Sequence, residues 1–189
     1  MNVLIACEFS QVVTKAFRER GHEAYSCDVL PTEGNPDWHR RAEVHALLRD
    51  GWDMMIAFPP CTFLCNSGVR WLHERNGRWE RMRQAATFFN DLLNAPIPRI
   101  ALENPIQHRY ARNLIRKPDQ IIQPYHFGDM QSKATCLWLK NLPPLMAKFS
   151  GGEGIRQDCF KTAPSENRWQ IRSRTFPSIA KAMAEQWGV

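Results

Sequence analysis

Short apolar runs alternate with helix-like segments along this chain, and this alternation limits the fold more than any other feature of the sequence. Buried parallel strands are near-continuous apolar runs of about four to eight residues, whereas helices repeat apolar residues every three or four positions. We predict strands at residues 3–6, 23–30, 53–58, 98–105 and 134–142, a strand and a turn over 119–128, and helices at residues 12–21, 79–94 and 179–187. The alternation predicts a three-layer α/β fold with a mainly parallel sheet between helices.

The length and composition indicate one domain over residues 1–189, with no repeats and no linker. Residues 143–173 contain Pro-Pro, Ser-Gly-Gly and other turn-forming residues, and they predict a loop-rich insertion. No apolar run approaches the roughly 20 residues of a membrane span, and the N-terminal run lacks the basic flank of a signal peptide. We therefore expect a cytoplasmic protein with no membrane partner.

Basic residues are concentrated in two stretches of a chain whose formal net charge is +6. Residues 70–83 hold five Arg and two Trp, and residues 168–174 hold three Arg and one Trp. Such mixtures suit phosphate contact and base stacking in a nucleic-acid-binding protein. For residues 70–83, a solvated helix face with tryptophan buried beneath it explains the pattern equally well, and both interpretations stay open at this point.

Polar or reactive residues follow four of the predicted strands. They are Cys-Glu-Phe-Ser after the first strand, Asp28 at the second, Pro-Pro-Cys after the third and Glu-Asn-Pro at the fourth. Ligands bind beyond the carboxyl ends of parallel strands, so these residues predict a site at one sheet edge. Asp28 could accept hydrogen bonds from ribose hydroxyls or could cap its own loop. The first loop lacks the glycine pattern that cradles a pyrophosphate.

Cys61 and Glu103 are the candidate reactive groups. Cys61 follows Pro59 and Pro60, which end the strand in a rigid turn and could present a thiol for covalent catalysis. The alternative is a buried structural thiol. Glu103 could be a partly buried acid that donates to a ring nitrogen, or a strand-end carboxylate in a salt bridge.

The six cysteines are expected to be reduced, since no secretion signal is present. Cys61 and Cys65 have the spacing C-x3-C, but no matching His or Cys pair follows, so we expect no metal site. Cys65 is expected to be a structural thiol in the loop behind Cys61.

Pro-Pro-Cys at 59–61, followed one strand later by Glu-Asn-Pro at 103–105, resembles the C5-cytosine DNA methyltransferase family. This resemblance covers most of the chain in order, and it implies a Rossmann-like S-adenosylmethionine-dependent methyltransferase fold. It implies Cys61 and Glu103 as catalytic residues. For S-adenosylmethionine it implies Glu8, Phe9, Ser10, Asp28, Glu43 and Pro59; for the substrate it implies Pro60, Asn104, Lys133, Thr135, Arg172 and Arg174.

The resemblance also implies a mechanism in which the Cys61 thiolate attacks C6 of cytosine while Glu103 binds N3 and the exocyclic amine. C5 then takes the methyl group and loses its proton as the thiol is eliminated. DNA is the expected partner, and a target base within a duplex would have to be flipped out first. An enzyme of this size would suit a phage or prophage.

Three departures from the family pattern affect these expectations. Gln11 and Val12 stand where the family has glycines, and Thr135 replaces the second of two spaced arginines, so that only Lys133 keeps a basic residue there. Only residues 143–173 are available in place of a large target-recognition region. Sequence choice would then be relaxed, or come from the 150–174 loop, a homodimer or a recognition partner.

Two alternatives follow from the same departures. The missing recognition region also fits C5 modification of a free nucleotide such as dCMP, or of RNA. The altered first loop and Thr135 fit a non-catalytic nucleic-acid-binding module derived from the fold, although the presence of both Cys61 and Glu103 opposes that interpretation.

Overall fold

The computed structural model describes residues 1–151, 153–158, 163, 165–166 and 168–189. Its strands are β1 (Asn2–Ala6), β2 (Glu23–Asp28), β3 (His39–Arg41), β4 (Met54–Ala57), β5 (Arg99–Pro105), β6 (Gln120–Ile122) and β7 (Thr135–Lys140). Its helices are α1 (Val12–Arg18), α2 (Trp71–Glu74), α3 (Arg78–Leu93), α4 (Arg168–Ser173) and α5 (Pro177–Trp187).

The strands form one sheet in the order β3-β2-β1-β4-β5-β7-β6. The first five strands in this order are mutually parallel, whereas β7 runs antiparallel to both β5 and β6. The order 3-2-1-4-5 is that of a doubly wound sheet, in which strands are added first on one side of β1 and then on the other. The predicted α/β class with a mainly parallel, Rossmann-like sheet is confirmed.

Helices cover both faces of the sheet, which gives the three predicted layers. On one face, α1 and α5 bury Phe17, Met183 and Trp187 against the sheet. On the other, α3 buries Phe89, whose ring lies 4.9 Å from that of Trp138 in β7. Because both faces are covered, the central strands are apolar on both sides, and this explains why their sequences read as continuous apolar runs.

Two elements differ from the expectations. β3 lies in a polar stretch predicted as a loop, because this short edge strand is held by polar contacts: His39 Nδ1 lies 2.9 Å from Ser26 Oγ in β2. β2 ends at Asp28 rather than residue 30, since the Asp28 carboxylate accepts a hydrogen bond from the Leu30 N–H at 3.0 Å and turns the chain.

The crevice between β1 and β4 is where the sheet order reverses, and ligands bind at such points in doubly wound sheets. The loops after β1, β2, β4 and β5 all leave the sheet at this edge. Among the described residues, no helix has the length and apolar character that a membrane crossing requires.

Candidate active site

The Pro-Pro-Cys loop leaves β4 and is held by the neighbouring strand. Asn104 of β5 donates a hydrogen bond from Nδ2 to the carbonyl oxygen of Pro59 at 2.7 Å. The carbonyl of Cys61 then accepts from the Leu64 and Cys65 N–H groups at 2.9 and 3.0 Å. The loop is therefore a tight turn that starts at Cys61, and it leaves the Cys61 side chain half-buried.

Glu103 reaches the same place from β5. β4 and β5 pair with Ala57 opposite Leu102, so Glu103 comes just beyond the last paired residue of β4. No ion pair involves Glu103 in the part of the chain that the structure describes, so the salt-bridged alternative is not what the structure contains. Burial raises the pKa of its carboxyl, and the charge of Lys133 partly opposes this rise.

Cys61, Glu103 and Lys133 converge closely enough to influence one another. A hydrogen bond to Cys65 and burial raise the pKa of the Cys61 thiol; Glu103 raises it further and Lys133 lowers it. The segments that carry the three groups are neighbours at the sheet edge, since Asn104 bonds to the Pro59 carbonyl and Pro105 pairs with Thr135.

Lys133, Thr135 and Arg172 form the part of this edge next to β7. Lys133 Nζ donates to the Arg172 carbonyl oxygen at 3.0 Å, and Thr135 Oγ1 donates to the Lys133 carbonyl oxygen at 3.1 Å. The hydroxyl of buried Thr135 is therefore already occupied as a hydrogen-bond donor to the backbone. Arg174 lies beyond, in a 2.7 Å ion pair with Glu33.

Glu8, at the other end of the edge, is a buried cap for α1. Its carboxylate accepts hydrogen bonds from the Val13 N–H at 2.7 Å, the Thr14 N–H at 3.2 Å and the Thr14 hydroxyl at 2.7 Å. Burial raises the pKa of Glu8, and these hydrogen bonds oppose the rise. Since α1 begins without a capping side chain at Gln11, Glu8 satisfies the helix N-terminus.

Gln11, just before α1, has a backbone conformation that usually requires glycine. Its backbone is left-handed, with φ at 58°, a region that favours glycine. Its buried side chain accepts from the Asn35 N–H at 2.7 Å and donates to the Asn35 carbonyl at 2.8 Å. The first loop is consequently tied to the segment after β2 by a side chain rather than left open by a glycine.

Asp28 and Glu43 bring two carboxylates to the edge between β1 and β2. Both lie near Cys7, whose pKa rises through burial first and then through the charge of Asp28 and, more weakly, of Glu43. Asp28 accepts from the Leu30 N–H through one oxygen only. Within the described residues the exposed Glu43 side chain has no hydrogen-bond or ion-pair partner. This pair of acceptors could hold a ligand that offers hydroxyl and amino donors.

The remaining predicted residues lie along the same edge. Phe9 is buried, and its ring centre lies 5.8 Å from that of Trp169 in α4. Ser10 is half-buried and helps to lower the pKa of Glu8 against the effect of burial. Pro59 is buried and Pro60 is exposed. The described ranges contain no group of three or more His, Cys, Asp and Glu side chains that could hold a metal ion, and Cys159 lies outside them.

Buried polar atoms without a hydrogen-bond partner in the described chain border the Pro-Pro-Cys loop. Asn104 Oδ1 and both amide atoms of Gln107 have no hydrogen-bond partner among the described residues. Gln107 pairs across an isolated antiparallel bridge with Cys65. No sequence motif marks Gln107, because its proximity to the thiol loop arises only from this long-range pairing.

The arginine-rich stretch, residues 70–83, lies next to the Pro-Pro-Cys loop. It has features of a nucleic-acid-binding surface and also of a solvated helix face with tryptophan packed beneath it. The guanidinium groups of Arg70 and Arg75 lie 4.1 and 4.0 Å from the ring centre of Trp71. Trp79 packs partly buried against Tyr110, with ring centres 4.9 Å apart. One tryptophan is therefore packed beneath the surface, while the other is stacked by arginines.

We define the arginine face as Arg70, Arg75, Arg78 and Arg109. Arg78 donates to the Thr62 carbonyl oxygen at 3.1 Å, one residue from Cys61, and Arg109 lies 4.6 Å from the ring centre of Tyr110. Within the described chain none of these four arginines forms a salt bridge with a carboxylate. The face therefore offers unpaired positive charge beside the candidate nucleophile.

No protein-family model matches this chain, and no curated protein sequence matches it. Among solved structures, it is similar to a methyltransferase of Entamoeba histolytica, EhMeth, with a TM-score of 0.47, 14% identity and coverage of 83% of this chain and 57% of that protein. It is also similar to S. pombe Dnmt2 methyltransferase, with a TM-score of 0.43, 15% identity and coverage of 85% and 53%.

A third similar structure is a prophage-encoded E. coli protein assigned as a DNA modification methyltransferase, with a TM-score of 0.45, 12% identity and coverage of 74% and 46%. The chain thus spans about half the length of each of these proteins.

Proposed function

We propose that this protein is an S-adenosylmethionine-dependent methyltransferase that modifies C5 of cytosine in DNA through a covalent adduct with Cys61. The observation that carries this proposal is the convergence of Cys61, Glu103 and Lys133 at the carboxyl edge of the sheet. Nucleophilic attack on a pyrimidine needs a thiol on one side of the ring and an acid that can protonate a ring nitrogen.

The two reactive residues have complementary roles. The Cys61 thiolate attacks C6, while Glu103, whose pKa is raised by burial, donates in its protonated form to N3 and accepts from the exocyclic amine. This makes C5 nucleophilic. After C5 takes the methyl group, solvent water accepts the C5 proton and the C5–C6 double bond re-forms. The C6–S bond breaks with its electron pair returning to the Cys61 sulfur, and N3 returns its proton to Glu103. Asn104 acts as a positioning residue, because it holds the Pro59 carbonyl and hence the turn that carries Cys61.

The opposite half of the edge fits the methyl donor. S-adenosylmethionine, when bound, supplies an electrophilic methyl group. Asp28 has one uncommitted carboxylate oxygen for the ribose hydroxyls, and the unpartnered Glu43 can accept from an amino group. Phe9 offers an apolar surface. Glu8 would act through α1, since its carboxylate is occupied by that helix.

A polymeric substrate is supported by the arginine face. Its four arginines have no carboxylate partners within the described segments, Arg78 bonds to the residue after Cys61, and phosphodiester backbones are the ligands that such unpaired charge attracts. Two of them already stack on Trp71, so this ring is less available to a base. We therefore favour nucleic acid over free dCMP, with contacts to phosphates rather than to base edges.

A non-catalytic nucleic-acid-binding module is the second candidate, and the first loop favours it. Gln11 stands where the family has glycine, and its two hydrogen bonds to Asn35 tie down the loop that would meet the methionine portion of the cofactor. Calorimetry with S-adenosylmethionine separates the two candidates. Measurable binding supports the enzyme, and absence of heat together with retained binding of DNA supports the module.

The direct test is mass spectrometry of nucleosides from DNA and RNA of cells that express the protein. The proposal predicts 5-methylcytosine above the level in cells that express Cys61→Ser. The same comparison identifies RNA as the substrate if the modified base is found there. An unchanged nucleoside profile, despite soluble protein and bound cofactor, would refute the proposal.

A further inference from the structure

Arg78, the first residue of α3, contacts both corners of the turn that starts at Cys61. The Cys61 carbonyl accepts from the Leu64 N–H at 2.9 Å and closes a β-turn. Thr62 and Phe63 are the two corner residues of this turn. Arg78 Nη2 donates to the Thr62 carbonyl oxygen at 3.1 Å, and its guanidinium carbon lies 4.5 Å from the ring centre of Phe63. One side chain thus reaches across to the segment that presents the candidate nucleophile.

Gly68 leaves the space that this contact needs. A Cβ atom built at Gly68 would lie 2.8 Å from the Thr62 carbonyl oxygen and 3.0 Å from Arg78 Nη2. Because the oxygen belongs to the backbone, an alanine here would force either the turn or the guanidinium to move. The contact between Arg78 and Thr62 therefore depends on a glycine as well as on an arginine.

Arg78 differs from the other members of the arginine face. The other three are exposed and stack on Trp71 or Tyr110, whereas Arg78 is half-buried. Its Nε is buried and has no hydrogen-bond partner within the segments that the structure describes. Burying a guanidinium nitrogen without a partner costs free energy, so a fold keeps such an arginine mainly where its other contacts are needed.

We propose that Arg78 is a positioning residue for Cys61, which acts by holding the corner of the turn at Thr62 and Phe63. This inference rests on the proposed function, because the position that Arg78 fixes is the one from which the Cys61 sulfur attacks C6. A displacement of about 1 Å at a reacting atom can lower a rate by about 100-fold. Loss of Arg78 should therefore slow methyl transfer far more than it weakens binding of the polymer, the reverse of what a phosphate contact would do.

Two buried side chains hold the rest of the loop from the inside. Asn104 donates to the Pro59 carbonyl at 2.7 Å, and His108 Nε2 donates to the Phe63 carbonyl at 3.0 Å. His108 Nδ1 accepts from the Ala111 N–H, which leaves Nε2 as the donor. The loop thus keeps its path without Arg78, and only its outer corner loosens. We expect Arg78→Gln to fold with a melting temperature close to that of wild type.

The first test needs neither cofactor nor substrate. The N–H groups of Leu64 and Cys65 both bond to the Cys61 carbonyl, so their hydrogen-exchange rates report how firmly the turn is held. Exchange at these two amides is followed by NMR in wild type, Arg78→Gln, Gly68→Ala and Arg83→Gln. Arg83 is exposed and paired with Glu80 on the same helix, so Arg83→Gln removes the same charge without touching the turn.

We expect both amides to exchange at least about ten times faster in Arg78→Gln and to exchange faster in Gly68→Ala, with no change in Arg83→Gln. Exchange at the wild-type rate in Arg78→Gln would overturn the proposal, whether or not the protein transfers methyl groups. If Arg78→Gln does not fold, an unchanged rate in Gly68→Ala overturns it instead, since that variant keeps the arginine but displaces its contact.

The second test separates positioning from phosphate binding. With saturating oligonucleotide and S-adenosylmethionine, Arg78→Gln should lower the single-turnover rate of methyl transfer by at least about tenfold, while the oligonucleotide Kd stays within about threefold of wild type. Arg78→Lys should recover part of the rate, because an ammonium group can still donate to the Thr62 carbonyl. Weakened binding with the wild-type rate in Arg78→Gln would make Arg78 a phosphate contact and overturn the proposal.

Failure of the proposed function has a different signature. Wild-type protein that transfers no methyl group would refute the methyltransferase, and hydrogen exchange at Leu64 and Cys65 would still decide whether Arg78 holds the turn. Active wild type with an equally active Arg78→Gln would refute the positioning role alone.

Discussion

The two halves of the sheet edge differ in how their buried polar side chains are hydrogen-bonded. On the β1–β2 side, Glu8 and Gln11 are buried and their side chains are committed to α1 and to the segment after β2. On the β4–β5 side, Asn104 Oδ1 and the Gln107 amide are buried without partners, and Glu103 has no ion pair in the described chain. Within the described chain, the buried side chains of the first half have hydrogen-bond partners, whereas those of the second half leave polar atoms without one.

This contrast suggests different roles for the two halves, one mainly structural and one reactive. Buried polar groups without hydrogen bonds cost stability, so a fold retains them mainly where a ligand or a reaction uses them. The satisfied half can hold a ligand with its few uncommitted oxygens, whereas the unsatisfied half surrounds the thiol that we propose to react. The predictions below test the contrast one residue at a time.

The largest effect is expected for Cys61→Ser. This change should lower methyl transfer by at least about 1,000-fold, because a hydroxyl at this position is a far weaker nucleophile than a thiolate. The half-buried position should tolerate the smaller oxygen, so the melting temperature should stay close to that of wild type. Tritiated methyl transfer to a cytosine-containing oligonucleotide measures the loss, and retained turnover would show that the β4–β5 half does not act covalently.

Glu103→Gln should lower methyl transfer by about 100-fold, since the amide cannot transfer a proton to N3. It should also change how stability depends on pH. Burial raises the pKa of Glu103 above its ordinary value of 4.5, so the protonated carboxyl stabilises the fold at low pH. This contribution is lost as the pH rises through the folded-state pKa.

Denaturant unfolding over mildly acidic to neutral pH tests this sign. Wild type should lose more stability than Glu103→Gln as the pH rises, and the two proteins should differ least at the lowest pH. Equal slopes for both would mean that Glu103 is not buried as an acid. Glu8 has a raised pKa of the same sign and stays in both proteins, so it does not affect the comparison.

On the β1–β2 side, Glu8→Ala tests a residue expected to stabilise the fold, and Glu43→Ala tests a residue expected to bind the cofactor. Glu8→Ala should lower the free energy of unfolding by about 2–3 kcal/mol, because two backbone N–H groups of α1 lose their buried acceptor. Glu43→Ala should change it by less than about 0.5 kcal/mol, since this exposed side chain has no partner in the described chain. Calorimetry should show weaker S-adenosylmethionine binding in Glu43→Ala, and wild-type affinity would exclude Glu43 from the cofactor site.

The smallest effect is expected at the arginine face. The double variant Arg70→Gln, Arg75→Gln should weaken binding of a labelled oligonucleotide by about tenfold and lower the salt slope of log affinity by about two. Arg20→Gln with Arg49→Gln removes the same charge from exposed positions outside this face, and should change neither quantity as much. Equal losses in both double variants would show that net charge, rather than the arginine face, attracts the polymer.

The sequence predicted the fold and the positions of Cys61, Glu103 and Asp28, because apolar strands and their polar ends are local features. It did not predict β3, which depends on pairing with β2, or α4, which lies in a stretch of turn-forming residues. It also did not predict the surroundings of Cys61. Cys65, Ser67 and Gln107 meet there through a tight turn and one long-range bridge, and neither leaves a periodic pattern in the sequence.

A trapped adduct tests the central claim most directly. An oligonucleotide containing 5-fluorocytosine cannot lose the substituent at C5 after methylation, so a covalent mechanism leaves the protein attached at C6. With S-adenosylmethionine present, intact mass spectrometry should show one oligonucleotide and one methyl group added per protein, and peptide mapping should locate them on Cys61. An unmodified protein, or an adduct on any other residue, would contradict the account.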